Sequence, residues 1–139
     1  MDTHYLLDAS TLVSATFRRD GIPARAVGHA LRRNRVAVSE AMLMELLEVL
    51  HRPQIARFLD PELRAELVGQ LLAVGTVYHP TLRVTDCRDA KDNRYLELAL
   101  AAGADLIISS DTDLLVLHPW RGVPILRPAT YLAESDEQP

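Results

Sequence analysis

Short apolar runs without polar alternation punctuate the chain: "HYLL" (4–7), "RVAVS" (35–39), "TVYH" (76–79), "LIIS" (106–109) and "VPIL" (123–126). Runs of this length bounded by polar residues predict strands buried on both faces. Between them, apolar positions recur every three or four residues. That period predicts helices in "ASTLVSATF", "ARAVGHALRR", "EAMLMELLEVLHR", "ELRAELVGQLLAVG", "NRYLELALAAG" and a last turn "ATYLAE" after Pro128. Ser39 and Asp60-Pro61 are placed to start helices, and Gly75 and Gly103 to end them.

Strands alternating with helices imply a parallel sheet, because parallel neighbours need crossover connections. The fold class is therefore α/β: one domain with a short parallel central sheet of four to five strands, flanked by helices on both faces. Ligands of such sheets sit beyond the carboxyl ends of the strands, where strand order reverses. Asp8 directly follows the first strand, and Asp111 follows the fourth after two serines.

At 139 residues the chain is the size of one domain with a real core, assigned here to 1–133, followed by an acidic, frayed tail at 134–139. It has one cysteine, Cys87, which excludes an internal disulfide and a cysteine-rich zinc set. Its apolar runs are far shorter than the ~20 residues of a membrane span, and the opening "MDTHYLLDAS" has acids where a signal peptide carries bases. A soluble, cytoplasmic protein is expected. The net charge of −4 is uneven, with six arginines (18, 19, 25, 32, 33 and 35) crowded where Asp20 is the only acid. Arg25, His29 and Arg32 share one helix face. This stripe is either a solvated surface or a hold on phosphates.

The acids carry the candidate chemistry. Asp8 interrupts "YLLDASTLV" and suits either a helix cap or a site. Glu48 is placed to pair with Arg52 at i, i+4 on a solvated stripe. Glu45 lies ~60° from Met42 and ~40° from Val49 around the helix, at the edge of its buried face. Asp86, Asp89 and Asp92 precede a helix at intervals of three, more acids than one cap requires. Asp111 and Asp113 again leave one acid without a structural task. No Gly-rich phosphate loop and no HExxH occurs, and the five histidines are scattered. Ser14 and Ser110 lack a nucleophile elbow, and Ser10 stands where an aspartyl-phosphate phosphatase needs a second aspartate. Carboxylates without histidine or thiol suit hard cations such as Mg²⁺ or Mn²⁺.

In order and spacing, "LLDAS", "VSEAMLMELLEVLHRPQI", "DAKDNRYLELALAAGADLIISSDTDLL" and "ILRPATYLAE" resemble the PIN domain family. These are small metal-dependent nucleases, many of them VapC-like toxins of bacterial toxin–antitoxin pairs. The resemblance implies a PIN-like fold with metal-binding, catalytic acids at Asp8, Glu45, Asp92 and Asp111. It implies supporting roles for Ser10, Asp89, Ser109 and Asp113, the last as a helper or cap of the turn after Asp111. Ser10 replaces a frequent Asn or Thr, and Ser110 a frequent glycine. It further implies one or two Mg²⁺ or Mn²⁺ ions, hydrolysis of single-stranded RNA, a small antitoxin partner and a homodimer, with no membrane partner. Arg18, Arg19, Arg25, Arg32 and Arg94 are candidates to hold the RNA backbone. The alternatives are a PIN-fold binding module with weak or no catalysis, or a small metal-dependent phosphatase.

Overall fold

The computed structural model describes residues 3–135. Its elements are β1 (His4–Leu7), α1 (Ala9–Ser14), α2 (Ile22–Arg33), β2 (Arg35–Val38), α3 (Glu40–Leu50), α4 (Pro53–Ala56), α5 (Pro61–Val74) and β3 (Gly75–Val77). A 3-10 turn (Ala90–Asp92), α6 (Asn93–Ala102), β4 (Leu106–Ile108), α7 (Thr112–Leu115), β5 (Ile125–Leu126) and α8 (Pro128–Ser135) follow. Each expected strand and helix is present, with ends that differ from the expected ones by at most three residues in either direction. The first helix stops at Ser14 and "VPIL" pairs only at Ile125–Leu126. The last helix runs to Ser135, two residues past the expected domain boundary, and positions 136–139 lie outside the described residues.

All pairings are parallel, in the order β3-β2-β1-β4-β5. The chain steps outward twice from β1, then crosses back to β4 on its other side. Right-handed crossovers therefore put α2 and α5 on one face and α6 on the other. The reversal falls between β1 and β4, aligned Tyr5 to Leu106 and Leu7 to Ile108. Asp8 and Asp111 leave the sheet side by side at this switch point.

The core runs through both faces. Leu6, Leu7, Ile107 and Ile108 of the central strands are fully buried, as are Met42, Leu50, Leu71, Leu96 and Leu98 from the helices. Each such side chain contributes roughly 1.5–3 kcal/mol of transfer free energy. No helix among the described residues is long and apolar enough to cross a membrane.

Local signals set the helix ends that position the acids. Ser39 caps α3, its hydroxyl accepting from the Met42 N–H at 3.2 Å. Asp60 caps α5 through the Glu62 and Leu63 amides. Gly103 ends α6 in the left-handed region at φ 62°, where a side chain costs roughly 1–2 kcal/mol. Gly75 follows α5 with ordinary extended geometry. It is required instead by a close approach, since a Cβ there would lie 2.6 Å from the Leu71 carbonyl oxygen.

Candidate active site

Asp8 is only 2% exposed and does two things at once. One oxygen, Oδ1, accepts from the Thr11 amide at 3.0 Å and caps α1. The other, Oδ2, accepts from the Ser109 hydroxyl at 2.6 Å and the Ser10 hydroxyl at 3.1 Å. The cap and site readings of Asp8 are therefore compatible. Burial pushes its carboxyl above the usual range, and the hydrogen bonds from Ser109, Thr11 and Ser10 oppose that shift only in part.

Ser109 ties the two central strand ends together, because its Oγ also accepts from the Asp111 amide at 2.9 Å. Asp111 is half-buried, and its Oδ1 accepts from the Asp113 amide at 2.9 Å. The cap of α7 is therefore Asp111, not Asp113. The amide geometry decides this, since a cap oxygen must reach an N–H two or three residues further on. Asp113 instead bonds the Arg88 guanidinium, with Nε at 2.8 Å.

Asp92 closes the 3-10 turn at the start of α6 and is 5% exposed. Its Oδ2 is buried with no hydrogen-bond partner. Desolvation, then the hydrogen-bonded Asp111 carboxyl and its charge, then the charges of Asp89 and Asp8, push it up to about 8. Carboxylate oxygens of Asp89, Asp92 and Asp113 lie within 4.8 Å of one another, a separation one cation can span. Asp92 thus belongs electrostatically with Asp8 and Asp111 and geometrically with Asp89 and Asp113. Asp86 points elsewhere, accepting from the Trp120 indole N–H at 2.8 Å and pinning the loop to the β4–β5 connection.

Glu45 is half-buried on α3, at the edge of the face that buries Met42, Leu46 and Leu50. Its Oε1 accepts from the Tyr95 hydroxyl at 2.6 Å and from Arg94 at 3.3 Å. Glu48 faces solvent and pairs with Arg52 at 2.7 Å, as its spacing implies. The Tyr95 hydroxyl in turn accepts from the Ala9 amide at 3.1 Å. Through this hydroxyl Glu45 is joined to the residue after Asp8. Burial, then the bond to Glu45, raise the Tyr95 phenol, so it stays a donor throughout the ordinary pH range.

Sequence reasoning missed Tyr95. A tyrosine on the inner face of an apolar helix reads as core, and its place three residues after Asp92 was the only available signal. Of the five candidate RNA-binding arginines, Arg94 is bonded to an acid of the site. Arg18 pairs with Asp20 and Arg19 with Glu66. Arg25 and Arg32 line a groove of about 320 Å³ between α2 and α5, on a helical face rather than at the strand ends.

Among the described residues the acids that come within reach of a single cation are Asp89, Asp92 and Asp113, an all-oxygen set that contains a buried carboxylate oxygen with no partner, while Asp8, Glu45 and Asp111 are not part of that group. Such an arrangement fits a hard divalent cation, which offsets the mutual repulsion and supplies the missing contact.

The comparisons with known proteins agree with this architecture. The chain is similar to an uncharacterized protein of Methanocaldococcus jannaschii, MJ1680, at 25% identity over 115 residues, which is 81% of this chain and 74% of the relative. Its fold is similar to the crystal structure of PAE2754 from Pyrobaculum aerophilum, with a TM-score of 0.64 and 19% identity, covering 98% of this chain and 91% of the other. A family model for the PIN domain matches residues 4–113, from the first strand through both aspartates after the fourth. The chain belongs to the PIN domain family, whose members are generally metal-dependent nucleases.

Proposed function

We propose that the protein is an endoribonuclease that hydrolyses phosphodiester bonds of single-stranded RNA with Mg²⁺ or Mn²⁺, and acts in the cytoplasm as the toxin of a toxin–antitoxin pair. The observation that carries the reading is the unpartnered, buried Oδ2 of Asp92 among acids delivered by the switch-point strands. A scaffold gains nothing from keeping these like charges together; a cation site requires them. A small antitoxin protein and a second copy of the chain are the proposed partners, on the strength of the family resemblance.

In this reading Asp8, Glu45, Asp92 and Asp111 hold the cation. Bound Mg²⁺ or Mn²⁺ supplies activation of water and neutralisation of charge at the phosphodiester. The chain's own groups do the rest. Ser10 and Ser109 fix the orientation of the Asp8 carboxylate, and Tyr95 fixes Glu45. Arg94, bonded to Glu45, places a positive charge beside the reacting phosphate. In this reading the Ser10 and Ser109 hydroxyls donate to Asp8 rather than attack, and water is the nucleophile, so no covalent intermediate forms.

The test is incubation of purified protein with single-stranded RNA and Mn²⁺ or Mg²⁺, beside Asp8→Asn and Asp111→Asn. Cleavage by the wild type that is lost in both variants and in EDTA is the expected result. Undiminished cleavage by the Asp8→Asn protein refutes the assignment. An open reading frame for a small partner protein beside the gene is expected for the toxin role.

A further inference from the structure

A second groove, of about 510 Å³, lies between the loop 80–85 and the first turns of α6. Its lining includes Leu82, Arg83, Lys91, Asn93, Arg94 and Glu97. Volumes of this size hold nucleotide-sized ligands. Its single acid is committed, since Glu97 Oε2 accepts from the Val84 amide at 2.9 Å and holds the loop against α6. Two of its three cations are uncommitted. Among the described residues the side chains of Arg83 and Lys91 have no ion-pair or hydrogen-bond partner, and both are exposed. By contrast Arg18, Arg19, Arg52, Arg88 and Arg121 are each engaged with an acid.

The groove is linked to the acids through one of its lining residues. Arg94 is shared between the two, its Nε donating to the Lys91 carbonyl at 3.0 Å and its Nη1 to Glu45 at 3.3 Å. Lys91, exposed on the groove, immediately precedes the buried Asp92 in the chain. Two free cations, an exposed Leu82 and a polar wall, joined through Arg94 to Glu45, match a strand carrying anionic phosphates and apolar base faces.

We propose that this groove binds the RNA strand beside the scissile phosphate, with Arg83 and Lys91 each neutralising one backbone phosphate and Leu82 supporting a base. The proposal rests on the ribonuclease reading for its ligand. It assigns the strand to the loop 80–85 side of the acids rather than to the Arg25/Arg32 groove between α2 and α5.

The experiment is fluorescence anisotropy of a short labelled single-stranded RNA in EDTA, over a series of salt concentrations. It compares wild type, Arg83→Ala/Lys91→Ala and Arg25→Ala/Arg32→Ala. Loss of two phosphate contacts lowers the slope of log affinity against log salt by about 1.4, at roughly 0.7 per phosphate for a single strand, and weakens binding by about tenfold near physiological salt. The Arg83/Lys91 variant is expected to show that change while Mn²⁺ binding, followed by electron paramagnetic resonance, stays at the wild-type level. The Arg25/Arg32 variant is expected to bind RNA as the wild type does. An unchanged slope in the Arg83/Lys91 variant with Mn²⁺ binding intact overturns the proposal, as does a slope lost only in the Arg25/Arg32 variant or absence of saturable RNA binding by the wild type. Because nothing is cleaved in EDTA, failure of the hydrolase reading is separate: RNA held through Arg83 and Lys91 but never cut with Mn²⁺ leaves the groove standing and removes the enzyme.

Discussion

Asp92→Asn should make the metal-free protein more stable at neutral pH while removing its response to cation. In the folded chain Asp92 keeps its proton up to about 8, against 3.8 for an ordinary aspartate, because it is desolvated and faces Asp111. The unfolded chain loses that proton near the ordinary value. Between the two values unfolding therefore releases a proton. Stability is greatest at the acid end of this window, drains away as pH rises, and flattens above about 8. From 3.8 to neutrality is about three pH units at about 1.4 kcal/mol each, so the ionisable carboxyl costs on the order of 4 kcal/mol at pH 7. Asparagine has no proton to lose, and burying its amide returns roughly 1–2 kcal/mol of that gain. The net expectation is about 2–3 kcal/mol more stability for Asp92→Asn at pH 7 in EDTA. Urea unfolding between about pH 5 and pH 8 measures it. The wild-type curve should fall through the window, and its difference from the variant should widen with pH. Saturating Mn²⁺, which selects the ionised site, should raise wild-type stability by about 2.7 kcal/mol at a hundredfold excess over its dissociation constant, and leave the variant unmoved. Parallel pH profiles for the two proteins in EDTA would refute the reasoning.

Other perturbations separate positioning from packing. Tyr95→Phe keeps the ring but leaves the buried Ala9 amide without a partner and Glu45 with Arg94 alone, so it should cost about 1–3 kcal/mol in urea unfolding. It should also weaken Mn²⁺ binding in a direct titration, which a purely structural tyrosine would not do. Gly75→Ala sets a Cβ 2.6 Å from the Leu71 carbonyl oxygen and 3.2 Å from Val38, and should destabilise by about 1–3 kcal/mol with Mn²⁺ affinity per folded molecule unchanged.

Much of this arrangement is legible in the sequence because it follows from local rules. The placement of Asp8 and Asp111 side by side can be read from strand ends alone, since the reversal of strand order between β1 and β4 falls there. Glu45 is readable from its angle beside Met42, and Ser39 and Asp60 from their spacing to the helices they cap. What is not legible depends on contacts between distant segments. The bond between Tyr95 and Glu45 spans 50 residues, Arg88 with Asp113 spans 25, and Asp86 with Trp120 spans 34. The short α4 carries only four residues and no buried side chain, so no apolar period announces it. The cap of α7 shows the same limit, because either Asp111 or Asp113 could cap a short helix by type and only amide geometry chooses Asp111. Charge counts were similarly blind to pairing. The arginine-rich stretch 18–35 draws attention by density, whereas Arg83 and Lys91, set singly in the later loop, are the unpaired cations of the groove that Arg94 links to Glu45.

The central claim is that the switch-point acids converge on a divalent cation. A crystal grown with Mn²⁺ and measured for anomalous scattering tests it most directly. A strong anomalous peak in contact with Asp92 Oδ2, shared with Asp8 and Asp111 or with Asp89 and Asp113, is the expected result. A peak elsewhere on the surface, or none beside Asp92 at saturating Mn²⁺, would contradict it.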